Sequence, residues 1–278
     1  MQSAFKIPLD DDRGRLHNRP GQEARDEDQV FSSHSYGDPG EKALVRATRP
    51  IVFNPIKGTG VDTDIVAFQF YDCFNYSLLG QERREVGLTV GVTSANPGEG
   101  KTLVASNLAV SLAIGYQRKA VLVDLNVRRP RLHDVFGTSL SPGLVDALDN
   151  SNGGTIHVSS TQIDGLSVLT AGLFRIGCLE GYVPYPYSHH FPVNHGPAIG
   201  LGRFTAFLDV LYTLTQEFEF IIVDMPSINT RDFPILFASR LDGLIAVVDA
   251  EKTKRKDVDQ MFRQLNESQI LGFVLNRV

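Results

Sequence analysis

Short runs rich in Val, Ile and Leu recur from residue 88 onward, each too brief for a helix and too continuous for a strand with one wet face. They span residues 88–93, 120–124, 166–170, 220–224, 243–249 and 272–275, and such runs predict strands buried on both sides. Between most of them lie segments of helical character, 101–115, 204–217, 233–240 and 254–267. The alternation predicts an α/β fold, a doubly wound and mainly parallel sheet with helices on both faces. In such sheets ligands gather beyond the carboxyl ends of the strands.

Ahead of residue 60 the periodicity disappears. Asp, Arg, Gly and Pro dominate, which predicts a disordered or linker arm over 1–60 preceding a single domain over 61–278. The apolar stretch 50–56 either docks on that domain or stays a solvated linker, and Asp62 or Thr63 caps a helix expected to run to about Leu79, with Gly80 as its stop.

Composition narrows the function. With 42% apolar and 21% charged residues the chain has a globular balance, and a net charge of −5 argues against nucleic acid or anionic lipid as a partner. Cys73 and Cys178 match no metal or redox spacing, as free thiols in a reducing compartment would. The most apolar long stretch, 103–116, is broken by Ser106, Asn107 and Ser111 and falls short of the ~20 residues of a membrane span. No direct membrane insertion is expected. Asp10, Asp11 and Asp12 stand where a signal peptide needs an apolar run, and a cytoplasmic location is predicted.

The chemistry concentrates at strand ends. After the first strand comes Ser94-Ala95-Asn96-Pro97-Gly98-Glu99-Gly100-Lys101-Thr102 and then a helix, a Walker A arrangement with Ala95 in place of the first glycine. Its glycines let backbone N–H groups wrap a phosphate, so Pro97, Gly98, Glu99, Gly100, Lys101 and Thr102 are the predicted nucleotide-binding residues. Lys101 would reach the outer phosphates and Thr102 would ligate magnesium. The second strand ends in Asp124, followed by Asn126, Arg128 and Arg129. Asp124 is placed to orient or deprotonate an attacking group, or to cap the turn that follows. Asn126 cannot act as a base. The strand 220–224 ends in Asp224 before Met225-Pro226-Ser227, a Walker B pattern whose carboxylate would hold magnesium.

Together these segments resemble the kinase domain of the bacterial tyrosine kinases of capsule and exopolysaccharide synthesis, a branch of the MinD/ParA-like P-loop ATPases. The resemblance covers about residues 88–278 and rests on Pro97-Gly98-Glu99-Gly100-Lys101-Thr102, on 124–130 as a Walker A′ segment, and on the terminal Leu271-Gly272-Phe273-Val274-Leu275-Asn276-Arg277-Val278. It implies a MinD-like P-loop fold, ATP and Mg2+ as cofactors, and transfer of the γ-phosphate with Lys101 and Asp124 as catalytic residues. It further implies Thr102 and Asp224 at the metal and Asn276 against adenine. The implied partner is a membrane polysaccharide co-polymerase or activator protein that recruits the chain to the inner face of the membrane, with self-association possible within the family.

ParA and MinD proteins would carry a signature lysine at Asn96, so its absence favours the kinase branch. Asn126 stands where the family has a second aspartate, Ser227 where it has a second proline, and Gln69 and Asp72 near arginines that build a subunit ring. The family's tyrosine-rich tail is not found before Val278. These differences keep two alternatives in view: a catalytically weak nucleotide-sensing module of a polysaccharide export complex, and a ParA/MinD-type positioning ATPase. Residues 181–190 hold Tyr182, Tyr185 and Tyr187, as phosphate acceptors or as a packing or docking loop. His189, His190 and His195 have no adjoining Cys or carboxylate cluster, and no metal beyond magnesium is expected.

Overall fold

A computed structural model describes residues 86–149, 155–173, 203–230 and 233–276, together with Leu78 and the backbone of residues 4–8 and 43–46. The strands, in chain order, are β1 (Ala4–Pro8), β2 (Ala43–Arg46), β3 (Leu88–Ser94), β4 (Ala120–Asp124), β5 (Thr155–Ser160), β6 (Leu166–Leu169), β7 (Phe220–Asp224), β8 (Gly243–Asp249) and β9 (Ile270–Asn276). The helices are α1 (Lys101–Val110), α2 (Leu132–Phe136), α3 (Leu144–Leu148), α4 (Phe204–Glu217), α5 (Ile235–Ala238) and α6 (Arg255–Gln264). A wider π-helical turn over Ser111–Gly115 prolongs α1.

The nine strands among the described residues form one sheet in the order β1-β5-β6-β4-β7-β3-β8-β9-β2. Pairing is parallel from β6 through β2 and antiparallel only where β5 meets β6 and β1. Every residue of β3, β4 and β7 is buried. Alternate side chains go to opposite faces: Val121, Val123, Ile221, Val223, Leu244 and Ala246 pack against α3, α4, α5 and α6. Ala120, Leu122, Phe220, Ile222, Ile245 and Val247 pack instead against α1 and α2. That division makes the sheet doubly wound, as the sequence pattern predicts.

Three differences from the sequence expectation follow from physical causes. Strands β1 and β2 fall inside the arm expected to be disordered. They add to the two edges of the sheet, where unpaired N–H and C=O groups accept a strand whatever its side-chain pattern. Strand β5 alternates buried and half-exposed positions and follows a Ser-Asn-Gly-Gly stretch that reads as loop. Helices α2 and α3, five residues each, are too short for a 3.6-residue period to be legible. The expected helix from Asp62 or Thr63 lies outside the described residues except for Leu78, which is fully buried. Gln69, Asp72, both cysteines, residues 181–190 and the three histidines also lie outside them.

Candidate active site

Strand β3 runs directly into the phosphate loop and then into α1. Gly98 and Gly100 hold φ angles of 83° and 95°, a region that side-chain-bearing residues rarely adopt. A Cβ on Gly100 would also stand 2.2 Å from Asn276 Nδ2, so glycine is required twice over. The first helical hydrogen bond runs from Val104 N to Gly100 O, 3.0 Å, and no side chain caps α1. Its leading N–H groups are therefore left for a ligand, the arrangement that binds phosphate. Pro97 and Gly98 form the exposed crest of the loop. Lys101 is only 7% exposed; burial lowers its pKa, opposed by the charges of Asp224 and Glu99.

Asp124 and Asp224 face one another in register at the ends of β4 and β7, and both are wholly buried. Thr102 Oγ1 donates to Asp224 Oδ2 at 2.7 Å, while Asp224 Oδ1 has no hydrogen-bond partner. Burial and then the Asp124 charge push Asp224 up to about 7, with Thr102 and Lys101 acting in the opposite sense. A hydroxyl beside a buried carboxylate with an orphaned oxygen is a donor set that suits magnesium. Asp124 is engaged differently. Its Oδ1 accepts from Asn126 N at 3.1 Å and its Oδ2 from Arg131 N and Leu132 N at 3.0 and 3.2 Å. Burial raises its pKa in spite of these hydrogen bonds. The carboxylate thus anchors the turn that leads into α2.

The side chain of Glu99, whose backbone lies in the phosphate loop, turns inward and is 3% exposed. Its Oε2 accepts from Asn96 N at 3.0 Å, and its Oε1 accepts from Asn96 Nδ2 at 3.2 Å and from Thr253 Oγ1 at 2.5 Å. Asn96 Nδ2 also reaches Asp257 Oδ2 on α6, 3.2 Å away. Asn276, at the end of β9, donates from Nδ2 to Glu99 O at 3.0 Å. The residues predicted around the nucleotide therefore do converge, with Lys101, Thr102, Asp124 and Asp224 on one side and Glu99 and Asn276 braced on the other. Sequence reasoning missed Thr253 and Asp257. They carry no motif, and only the return of the chain from β8 into α6 brings them here.

The comparisons with known proteins bear on the fold and on what the chain is similar to. No protein-family profile matches the chain. The tyrosine-protein kinase CpsD of Streptococcus pneumoniae serotype 4 is 28% identical over 222 residues, 76% of this chain and 85% of CpsD. The chain is similar to proteins named as bacterial tyrosine-protein kinases. Of some longer curated relatives it spans only 22 to 23%. In fold it is similar to the chimeric protein CapA2B2, with 23% identity, a TM-score of 0.59, and coverage of 84% of this chain and 92% of that one. The kinase domain of the Escherichia coli tyrosine kinase ETK is likewise similar, with 18% identity, a TM-score of 0.60, and coverage of 81% and 80%. Among the described residues no helix is long and apolar enough to cross a membrane, and no group of three or more His, Cys, Asp or Glu side chains is placed to hold a metal.

Proposed function

We propose that this chain is an ATP-dependent, tyrosine-protein-kinase-like regulator of capsular or exopolysaccharide synthesis that transfers the γ-phosphate of ATP to a tyrosine hydroxyl. The observation that carries the reading is the contact between Thr102 Oγ1 and Asp224 Oδ2 behind a glycine-shaped phosphate loop, with Asp224 Oδ1 left over. Backbone N–H groups from Gly98 to Thr102 bind the phosphates, and Lys101 places a buried positive charge against the outer ones. Thr102 and Asp224 would hold magnesium, which when bound neutralises phosphate charge. The tyrosine oxygen attacks the γ-phosphorus, the bond to the β–γ bridging oxygen breaks, ADP leaves, and the tyrosine proton passes to Asp124 or to water. Asn276 is proposed to meet adenine from the end of β9. A membrane polysaccharide co-polymerase or activator is the proposed partner and would recruit the chain to the cytoplasmic face.

A specific observation favours a second reading, a nucleotide-sensing module with weak catalysis. Both oxygens of Asp124 are taken by backbone amides, and Asn126 cannot replace it as a base. One experiment separates the two: transfer of label from magnesium ATP to protein, with and without the candidate membrane partner, beside Lys101→Met and Asp124→Asn. Label on tyrosine that disappears in both variants supports the kinase. Tight ATP binding with neither labelled protein nor released phosphate supports the sensing module, and absence of nucleotide binding overturns both.

A further inference from the structure

A carboxylate inside a phosphate-binding loop needs an explanation, because its charge repels the ligand and attracts the loop's own lysine. Glu99 sits two residues before Lys101, and its charge acts on that lysine, yet among the described residues the two form no ion pair. Three donors occupy the carboxylate instead: Asn96 N, Asn96 Nδ2 and Thr253 Oγ1. The Thr253 bond is the shortest, at 2.5 Å, and the hydroxyl is itself oriented, since it accepts from Asp249 N at 3.0 Å. With its one proton given to Glu99 and a lone pair given to Asp249, Thr253 has a defined direction. The main chain of Glu99 is held as well, by Asn276 Nδ2, while Asn276 O accepts from Ala250 N at 2.9 Å. The segment between β8 and α6 therefore grips Glu99 through its side chain and, by way of Asn276, through its carbonyl.

We infer that Glu99 and Thr253 are positioning residues of the phosphate loop: Thr253 holds the Glu99 carboxylate in the β8–α6 direction so that it does not capture Lys101, which stays available to nucleotide phosphates. The inference rests on the nucleotide-binding reading above. It makes the segment joining β8 to α6 a control point for phosphate affinity although it contains no phosphate motif. It also gives a sharp double-variant signature. Removing the Thr253 hydroxyl harms binding only while residue 99 carries a charge that can turn toward Lys101.

The test is titration of the full chain with a fluorescent methylanthraniloyl ADP in magnesium buffer, with thermal melts as a control for folding. Thr253→Val is expected to raise the Kd about tenfold, the scale of one charge-assisted hydrogen bond, while Thr253→Ser retains the wild-type Kd. In a Glu99→Gln background the same Thr253→Val change is expected to cost less than about twofold. Should valine prevent folding, Thr253→Ala takes its place in both backgrounds. An unchanged Kd in Thr253→Val, or in Thr253→Ala where it takes its place, or an equal loss with and without the Glu99 charge, overturns the positioning role while leaving the nucleotide site intact. A wild-type chain that does not bind the probe overturns the nucleotide reading itself, and the inference with it.

Discussion

Thr102 and Asp224, 122 positions apart in sequence, share a hydrogen bond of 2.7 Å that ties the start of α1 to the end of β7 and fixes one oxygen of the carboxylate while the other has no partner. Asp224→Asn is therefore expected to leave the fold in place and to remove most of the gain in nucleotide affinity that magnesium provides, on the order of tenfold to hundredfold. Titrating ADP in magnesium and in EDTA measures that gain directly. A full magnesium effect in the variant would remove Asp224 from the metal site.

The same residue predicts a pH dependence in the ligand-free protein. Burial and the Asp124 charge push Asp224 up to about 7 from an ordinary 3.8. Below the ordinary value both folded and unfolded chains carry the proton, and the folded state is not penalised. As pH rises from there through the folded value, the unfolded chain ionises first and stability is lost, with a slope approaching about 1.4 kcal/mol per pH unit. Urea unfolding of wild type between pH 5 and 8 should show this decline relative to Asp224→Asn, in which the slope due to this group is absent.

Asp124 invites a prediction about stability rather than rate. Asp124→Ala and Asp124→Asn both remove the buried charge, but only asparagine keeps an oxygen for the amides of Asn126, Arg131 and Leu132. The alanine variant is expected to be less stable than the asparagine variant by about 1–3 kcal/mol, because buried N–H groups lose their acceptor. Equal urea midpoints would mean that the turn finds other partners. Loss of phosphoryl transfer in either variant has to be read beside this effect, since the turn and the chemistry share one side chain.

Gly100→Ala should be costly for two separable reasons. The φ of 95° disfavours any side chain, and the new methyl would meet Asn276 Nδ2 at 2.2 Å. A loss of roughly 1–3 kcal/mol in stability, together with weakened nucleotide binding, is expected by chemical denaturation and titration. Adding Asn276→Ala should recover the part due to the clash and leave the part due to the backbone.

These sites show what the sequence displays and what it conceals. Strands β3, β4, β7 and β8 are legible because a sheet covered on both faces demands uninterrupted apolar runs, and α4 matches its predicted bounds because an apolar stripe repeats over its fourteen residues. The Walker segments are legible because phosphate chemistry constrains consecutive residues. Edge strands and five-residue helices are held by backbone pairing and neighbours, which leave little pattern. The role of Glu99 is hidden for a different reason. Its motif position suggests phosphate, but its side-chain partner Thr253 is 154 residues away, and a single sequence gives no sign that the two meet.

The brace from Asn276 to the carbonyl of Glu99 joins residues 177 positions apart, so the phosphate loop is closed by the last described strand. During synthesis, when a chain emerges from its N-terminal end, the Walker A segment precedes Asn276 by the same 177 positions and emerges without the contact that braces it. The loop is therefore expected to take its braced shape only once β9 has joined the sheet. A ribosome-stalled or proteolysed fragment lacking β9 would display the motif yet bind nucleotide poorly, which ties the onset of nucleotide binding to completion of the sheet.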